Sequence, residues 1–328
     1  CGQLGGKVLY IPLVCNTHLG NEHSFVRFIE RNGKLQPDFS LLDRYLDLWQ
    51  MHMPKPSTIV LYLWQPRHNG AGGFHIGVGK RKEPVATTVP VTLLRGKNDP
   101  VEHGAPMFTR PGSQEFWKPV LDAVRDRLVK RGWDQNAILL GILSDSWATQ
   151  EVTDFFKQIA PYAGWTMHAH SFPTPDMNGV RIGFYAVPGY GAMIKNPPRP
   201  SQNGWALPAF KTVVPRDYRR GDLRPCVAQF SPLTSYRGLT ESIIVGGLRG
   251  FDRVGADFWE LPAEPGAYSP VRNLYDRARW GHLGLNCTTS WVLAPGPAGP
   301  VATTRFEMLR EGLQETEARI VIEKALKQ

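Results

Sequence analysis

"LLGILSDSW", residues 139–147, is an apolar run that stops abruptly on a serine and an aspartate. Its length and composition suit a strand buried on both faces, as in a parallel sheet covered by helices. The strand ends by delivering a carboxylate, Asp145, with Trp147 two residues on. One reading is an N-cap for the helix that follows, because Asp is a common cap. The other is a catalytic acid at the mouth of a barrel, where the C-terminal strand ends carry the chemistry.

Outward from this stretch the chain alternates strand and helix. VLYIPLV (8–14) and TIVLYLW (58–64) are continuous apolar strands. Between them a loop, CNTHLGNEHS, precedes SLLDRYLDLW (40–49), which has a helical period with Ser40 as N-cap. A long excursion, 65–112, is rich in Gly, His, Pro and Lys, and TTVPVTLL inside it reads as a small β element. Loops of that length often line a site. SQEFWKPVLDAVRDRLVKRGW (113–133) is a helix capped by Ser113 and stopped by Gly132. After the opening strand, TQEVTDFFKQIAP (149–161) is a helix with Thr149 as N-cap and Pro161 as its stop. GWTMHAHS (164–171), VRIGFYAVP (180–188), FKTVVPR (210–216), RVGADFW (253–259) and CTTSWVLAPGP (287–297) read as further strands. SPLTSYRGLTESIIVGGLRG (231–250) reads as a buried helix. The last helix, 304–327, has Thr304 as N-cap and Glu307 at the capping-box position.

Apolar strands alternating with amphipathic helices predict an α/β fold with a parallel sheet. Seven or eight strands predict a (β/α)8 TIM-type barrel spanning 1–328 as one domain, with 65–112 as a loop insertion after the second visible strand. No Gly-rich phosphate-binding motif follows the first strand, so nucleotide-binding versions of the architecture lose support and no cofactor is expected. The opening, CGQLGGKVLY, reads as a loop feeding a strand directly, as if the chain began inside a domain.

Composition narrows the class. The 328 residues are 42% apolar and 20% charged, ordinary for a globular protein. No apolar run is long enough to span a bilayer. Cys1, Cys15, Cys226 and Cys287 form no C-x-x-C pair, which disfavours a zinc ribbon or redox motif, and Cys15 and Cys287, at the ends of two expected strands, read as buried free thiols. The net charge of +9 owes much to Arg216, Arg219, Arg220, Arg224, Arg237, Arg249 and Arg253. No lysine-rich stripe or nucleic-acid motif accompanies them, so no nucleic-acid partner is expected. Arginine suits a bidentate grip on carboxylate or sulfate groups, or simply a solvated basic face.

The strand ends nominate the site. The first is followed by Asn21, Glu22 and His23, the second ends at Trp64, and the opening strand gives Asp145 and Trp147. Beyond these come His168 and His170, Tyr185 and Tyr190, Asp257 and Trp259, and Trp291. Carboxylates, aromatic platforms and amide or imidazole donors around one rim fit a sugar, whose ring faces stack on Trp and Tyr. A glycosidase needs an acid near the leaving oxygen and a second group at the anomeric carbon. Asp145 and Asp257 are the natural pair, with Glu22 in reserve. Asp257 has the alternative of an ion pair with Arg253 or Arg249, and Glu22 that of a solvent-facing loop residue. His168 and His170 share one strand face, but no third ligand is near, so no metal is expected. Arg310 reads as a floor or rim residue, or as a member of an ion pair.

The order of VLYIPLV, "GNEHS", "DFSLLDRYLDL", "IVLYLW", "EFWKPVLDAVRDRL" and "ILLGILSDS", closed by "GFDRVGADFW" and "RFEMLREGLQETEA", resembles the catalytic barrel of family 123 glycoside hydrolases. It is more similar still to that family's uncharacterised bacterial relatives. The resemblance implies a β-sandwich domain and one strand-helix unit upstream of Cys1. It also implies a substrate-assisted hydrolysis in which the 2-acetamido group of the sugar attacks its own anomeric carbon. An Asp orients that group, and an adjacent Glu is the general acid. Asp145 aligns with the Asp, but Ser146 stands where the Glu is expected, and serine cannot supply a proton of suitable pKa. Either Asp257 or Glu22 serves as acid, or the substrate differs, or the chain binds glycans without hydrolysing them. The expected partner is a polysaccharide or glycoconjugate carrying a 2-acetamido or anionic sugar. A periplasmic or extracellular location follows only from what such hydrolases do.

Overall fold

The computed structural model describes residues 2–15, 17, 21–64, 74–75, 87–96, 99–144, 146–168, 176–188, 211–214, 232–245, 250–251 and 292–326. In chain order the first strands are β1 (Val8–Pro12), β2 (Arg27–Arg31), β3 (Lys34–Asp38), β4 (Thr58–Tyr62), β5 (Phe74–His75), β6 (Thr88–Leu94) and β7 (Pro100–Pro106). They are followed by β8 (Ile138–Ser144), β9 (Ser146–Trp147), β10 (Gly164–His168), β11 (Asp176–Met177) and β12 (Val180–Pro188). The last are β13 (Lys211–Val214), β14 (Gly250–Phe251), β15 (Leu293–Gly296) and β16 (Gly299–Ala302). The α-helices are α1 (Ser40–His52), α2 (Ser113–Lys130), α3 (Gln150–Ile159), α4 (Leu233–Val245) and α5 (Thr304–Ala325).

The result is a mixed α/β fold around a mostly parallel sheet. β1, β4, β8, β10, β12, β13 and β14 pair in that order, every neighbour parallel. Among the described residues no pairing joins β14 back to β1. One face of the sheet packs on the helices through a large core that includes Ile11, Leu61, Leu140 and Trp165. The other face carries a small separate cluster, Leu139 of β8 with Phe184 of β12, against which Val8 of β1 packs. Val8, Leu139 and Phe184 sit on alternate strands of this order, which in a flat sheet lie roughly 10 Å apart. Contact across an intervening strand fits a sheet that curls toward that face. Gly141 lets it curl tightly, since a methyl group there would overlap the Thr166 side chain of the next strand.

The stretch expected to be a loop insertion is a second sheet in part. β6 and β7 form an antiparallel pair, and β6 pairs in parallel with β2, giving the order β3-β2-β6-β7. The β2–β3 hairpin is absent from the sequence reading, although its signal was present. Asn32 and Gly33 are the two turn residues, both with positive φ (53° and 70°), the backbone that an Asn-Gly hairpin turn requires. A chain of ring contacts runs from this sheet into the main core: Phe28, Phe116, Trp117, Phe108, Phe156, Trp165 and Trp64.

Helix ends correct the sequence reading by small amounts. Thr149 caps α3 as expected, accepting from the Val152 N–H. The cap of α5 is Thr303, not Thr304: its hydroxyl accepts from the Phe306 N–H, and Glu307 pairs with Arg310. Ser113 does not cap α2 either; it donates to the Arg110 carbonyl, and left-handed Gly112 precedes the helix. α4 stops at Val245, leaving Gly250–Phe251 as strand. In the stretch 287–297, of which 292–297 are described, Leu293–Gly296 forms a strand that turns back on β16 as an antiparallel hairpin. Its Ala-Pro-Gly composition favours a turn over a buried parallel strand.

At α1 the N-cap position is Phe39, not Ser40, and its side chain makes no capping bond; Asp38, just before it, accepts from the Ser40 N–H (3.1 Å) and hydroxyl (2.9 Å) and from Arg27 (3.0 Å). Partial burial pushes the Asp38 carboxyl up, but the bonds from Ser40 and the Arg27 guanidinium outweigh it and hold it below the usual aspartate value. A depressed folded-state pKa stabilises the fold above the unfolded value of about 3.9, and that stabilisation is lost as pH falls through the folded one. Asp38→Asn is therefore expected to lower stability at neutral pH and to flatten its decline on acidification below about pH 5. Parallel urea-midpoint profiles for the two proteins would show that Asp38 carries no such linkage.

Candidate functional site at the carboxyl ends of the sheet

In an open or closed parallel α/β sheet the strands' carboxyl ends form the functional edge. Along that edge the register aligns Ser144 with His168, His168 with Ala186, Ala186 with Thr212, and Thr212 with Gly250. Tyr185 sits one residue deeper, opposite Met167 and Lys211. The fold thus brings the positions of Ser144 and His168 side by side at the end of adjacent strands. Asp145 follows Ser144 directly in the chain but lies outside the described residues, as do His170, Tyr190, Asp257, Trp259 and Trp291. On the far side of Asp145 the chain re-enters a ladder, for β9 pairs antiparallel with β5.

The described part of the loop after β1 is held together by its own hydrogen bonds. Asn21 donates from Nδ2 to the carbonyls of Val14 (2.9 Å) and His23 (3.0 Å), and its Oδ1 accepts from the Thr17 hydroxyl. With both amide hydrogens and its oxygen engaged inside the loop, Asn21 shapes the turn. Glu22 is exposed and His23 half-buried on the same turn. Trp64, read as a sugar platform, is fully buried, its ring edge-on to Trp165 with centroids 6.2 Å apart. It follows β4 while the ladder still runs, since its N–H donates to the Gly141 carbonyl, so the indole enters the core.

Composition gave no hint of what ties this loop down. Ser24 and Thr92 exchange two bonds: the Ser24 N–H donates to Thr92 Oγ1 (2.9 Å), and the Thr92 N–H donates to Ser24 Oγ (3.0 Å). Cys15 Sγ lies 3.3 Å from the same Thr92 hydroxyl. The small sheet is thereby fastened to the carboxyl end of β1. Burial pushes the Cys15 thiol up, outweighing its bonds to Thr92 and Ser24, so the reactive thiolate is scarce. Alkylation of the peptide containing Cys15 is expected to track global unfolding across a urea series. Rapid labelling by iodoacetamide in native buffer, followed by mass spectrometry, would contradict this.

The arginines described near the carboxyl half serve structure. Arg237, on α4, pairs with Glu311 and Glu315 of α5, and Arg310 pairs with Glu307 within α5. The other arginines of the 216–253 group lie outside the described residues. Among the described residues there is no cluster of three metal-ligating side chains, and no helix is long and apolar enough to cross a membrane.

A concave groove of about 460 Å³ opens at the opposite edge, between Lys157, Tyr162, Gly164 and Arg181. Gly164 and Val180 begin their strands, so this groove belongs to the amino ends of the sheet. It is remote from the row of Ser144 and His168. No protein-family model matches the chain, and no curated protein matches it either.

Proposed function

We propose that this chain is a glycoside hydrolase built on a (β/α)8 barrel, acting on a polysaccharide or glycoconjugate. The observation that carries the reading is the inner cluster of Val8, Leu139 and Phe184. Side chains from alternate strands meeting on one face are how the interior of such a barrel is filled. A barrel makes the row of Ser144 and His168 part of a rim, and Asp145 the first residue beyond it. In this reading Asp145 orients the substrate or acts as one of two carboxylates, and Asp257 or Glu22 serves as the second. Trp147, Tyr185 and Trp259 are the aromatic platforms, with His23, His168 and His170 as hydrogen-bonding partners, joined by Tyr190 and Trp291. The resemblance to family 123 supports the same assignment and adds a 2-acetamido sugar as the first substrate to try.

Ser146 favours a second reading, a glycan-binding barrel that no longer hydrolyses, because it replaces the acid which that resemblance implies. One screen separates the two. Aryl β-N-acetylhexosaminides, other aryl glycosides, and sulfated and uronate glycans are offered to the wild type and to Asp145→Asn. Turnover by the wild type that collapses in Asp145→Asn supports the hydrolase. Equal turnover by both removes Asp145 from catalysis. Binding without turnover supports the glycan-binding barrel.

A further inference from the structure

The groove at the amino ends of the sheet is built around Arg181, the second residue of β12. Its guanidinium lies against two glycines. A methyl group at Gly164 would stand 3.1 Å from Nη2, and one at Gly183 would stand 2.9 Å from Nη1. The two missing side chains therefore make its place. A single long hydrogen bond, from Nη2 to the Asn136 carbonyl at 3.4 Å, anchors one corner. Among the described residues no carboxylate pairs with it, so most of its five N–H donors stay available. Lys157 of α3 lines the same groove and donates to Asp154 Oδ1 (3.2 Å) and to the Asn178 carbonyl (3.0 Å). Its ammonium has a third hydrogen to give. Pro161 and the ring of Tyr162 supply an apolar wall, the Tyr162 hydroxyl being engaged by the Leu121 carbonyl (3.2 Å).

We propose that this groove is a binding site for a small organic oxyanion, a phosphate, sulfate or carboxylate on a compact ring body, gripped by Arg181 and Lys157. The inference stands apart from the carbohydrate reading, because the groove and the carboxyl-end row lie at opposite edges of the sheet. A guanidinium offers paired parallel N–H donors that match two oxygens of such a group. Held in place by the strands, it loses little freedom when an anion arrives. A volume of about 460 Å³ exceeds what a bare ion fills and falls among the pockets that take small molecules. The positive charge is moderate. Asp154 already holds Lys157, and the ladder sets the position of Asp176 opposite Arg181. Weak, salt-sensitive binding is therefore the expected regime.

The experiment titrates the full chain by calorimetry at low salt with phenyl phosphate, inorganic phosphate, inorganic sulfate and acetate. Phenyl phosphate is expected to bind one to one with a Kd on the order of 1 mM. It should bind more tightly than inorganic phosphate, because its ring meets the apolar wall. The three simple anions rank the oxyanion chemistries against one another. Arg181→Gln is expected to weaken phenyl phosphate about tenfold, and Arg181→Lys to recover only part of that loss. Lys34→Gln, which removes an exposed cation on the small sheet, should leave the Kd unchanged. A urea midpoint matching the wild type shows that Arg181→Gln is folded. No saturable binding of any probe, or the wild-type Kd in Arg181→Gln, overturns the site. Equal weakening in Lys34→Gln also overturns it, since net charge alone would then draw the anion.

Discussion

Trp117→Ala is expected to destabilise the protein by about 3–5 kcal/mol, the range for removing a large buried aromatic. Trp117 is fully buried on α2, between Phe108 (5.2 Å) and Phe116 (5.0 Å). Its Nε1–H donates to the Pro106 carbonyl at 2.8 Å, at the end of β7. The truncation therefore opens a cavity between the two sheets and strands a carbonyl. Trp117→Phe separates the two effects: it keeps most of the ring and should cost only about 1–3 kcal/mol, chiefly from the unmet carbonyl. Urea midpoints for the three proteins check the order. A loss below about 1 kcal/mol in Trp117→Ala would mean that the ring chain does not couple the sheets.

Gly312→Ala is expected to be nearly as damaging, and for an opposite reason. α4 and α5 run side by side, tied by the buried Thr316–Thr240 hydroxyl bond (2.9 Å) and by Arg319 to Glu241 (3.1 Å). They come close at Gly312, where a methyl group would overlap the Arg237 carbonyl oxygen and stand 2.9 Å from Thr240 Oγ1. Overpacking of this kind costs about 1–3 kcal/mol when side chains can yield. Here the obstacle is backbone, so the upper end of that range or beyond is expected. Helix propensity alone would predict a gain of about 1 kcal/mol for Gly→Ala. The sign of the change in thermal midpoint thus decides whether close packing or propensity governs the site.

Gly312 also shows how much was legible in the sequence. In the "LREG" stretch the conspicuous residue is Arg310, an exposed ion-pair member, whereas the residue that governs packing is the glycine. A glycine's packing role depends on what lies opposite, and sequence does not say that α4 does. The continuous apolar strands were readable because a parallel sheet buried on both faces imposes that pattern, and 180–188 was found to the residue. The β2–β3 hairpin was missed because RFIER and KLQPD are largely solvent-facing, so hydrophobic alternation was weak while the Asn-Gly turn went unused. Site residues fared unevenly for a related reason. A strand end can be located from its apolar run, but a side chain just past it can enter the core, as Trp64 does, or close its own loop, as Asn21 does. Three-dimensional partners, not residue type, decide between these fates.

The clasp between Ser24 and Thr92 also bears on how the chain reaches its fold. The two residues are 68 positions apart, and α1 and β4 lie within the loop they close. Loop-closure entropy opposes such a pairing until other contacts have already shortened the effective loop. Docking of β1 on β4, with α1 packed over them, supplies that shortening. The small sheet is then a late arrival, and Ser24 and Thr92 are residues whose replacement should speed unfolding more than it slows refolding. The element that fastens the loop after β1 would be the first to let go.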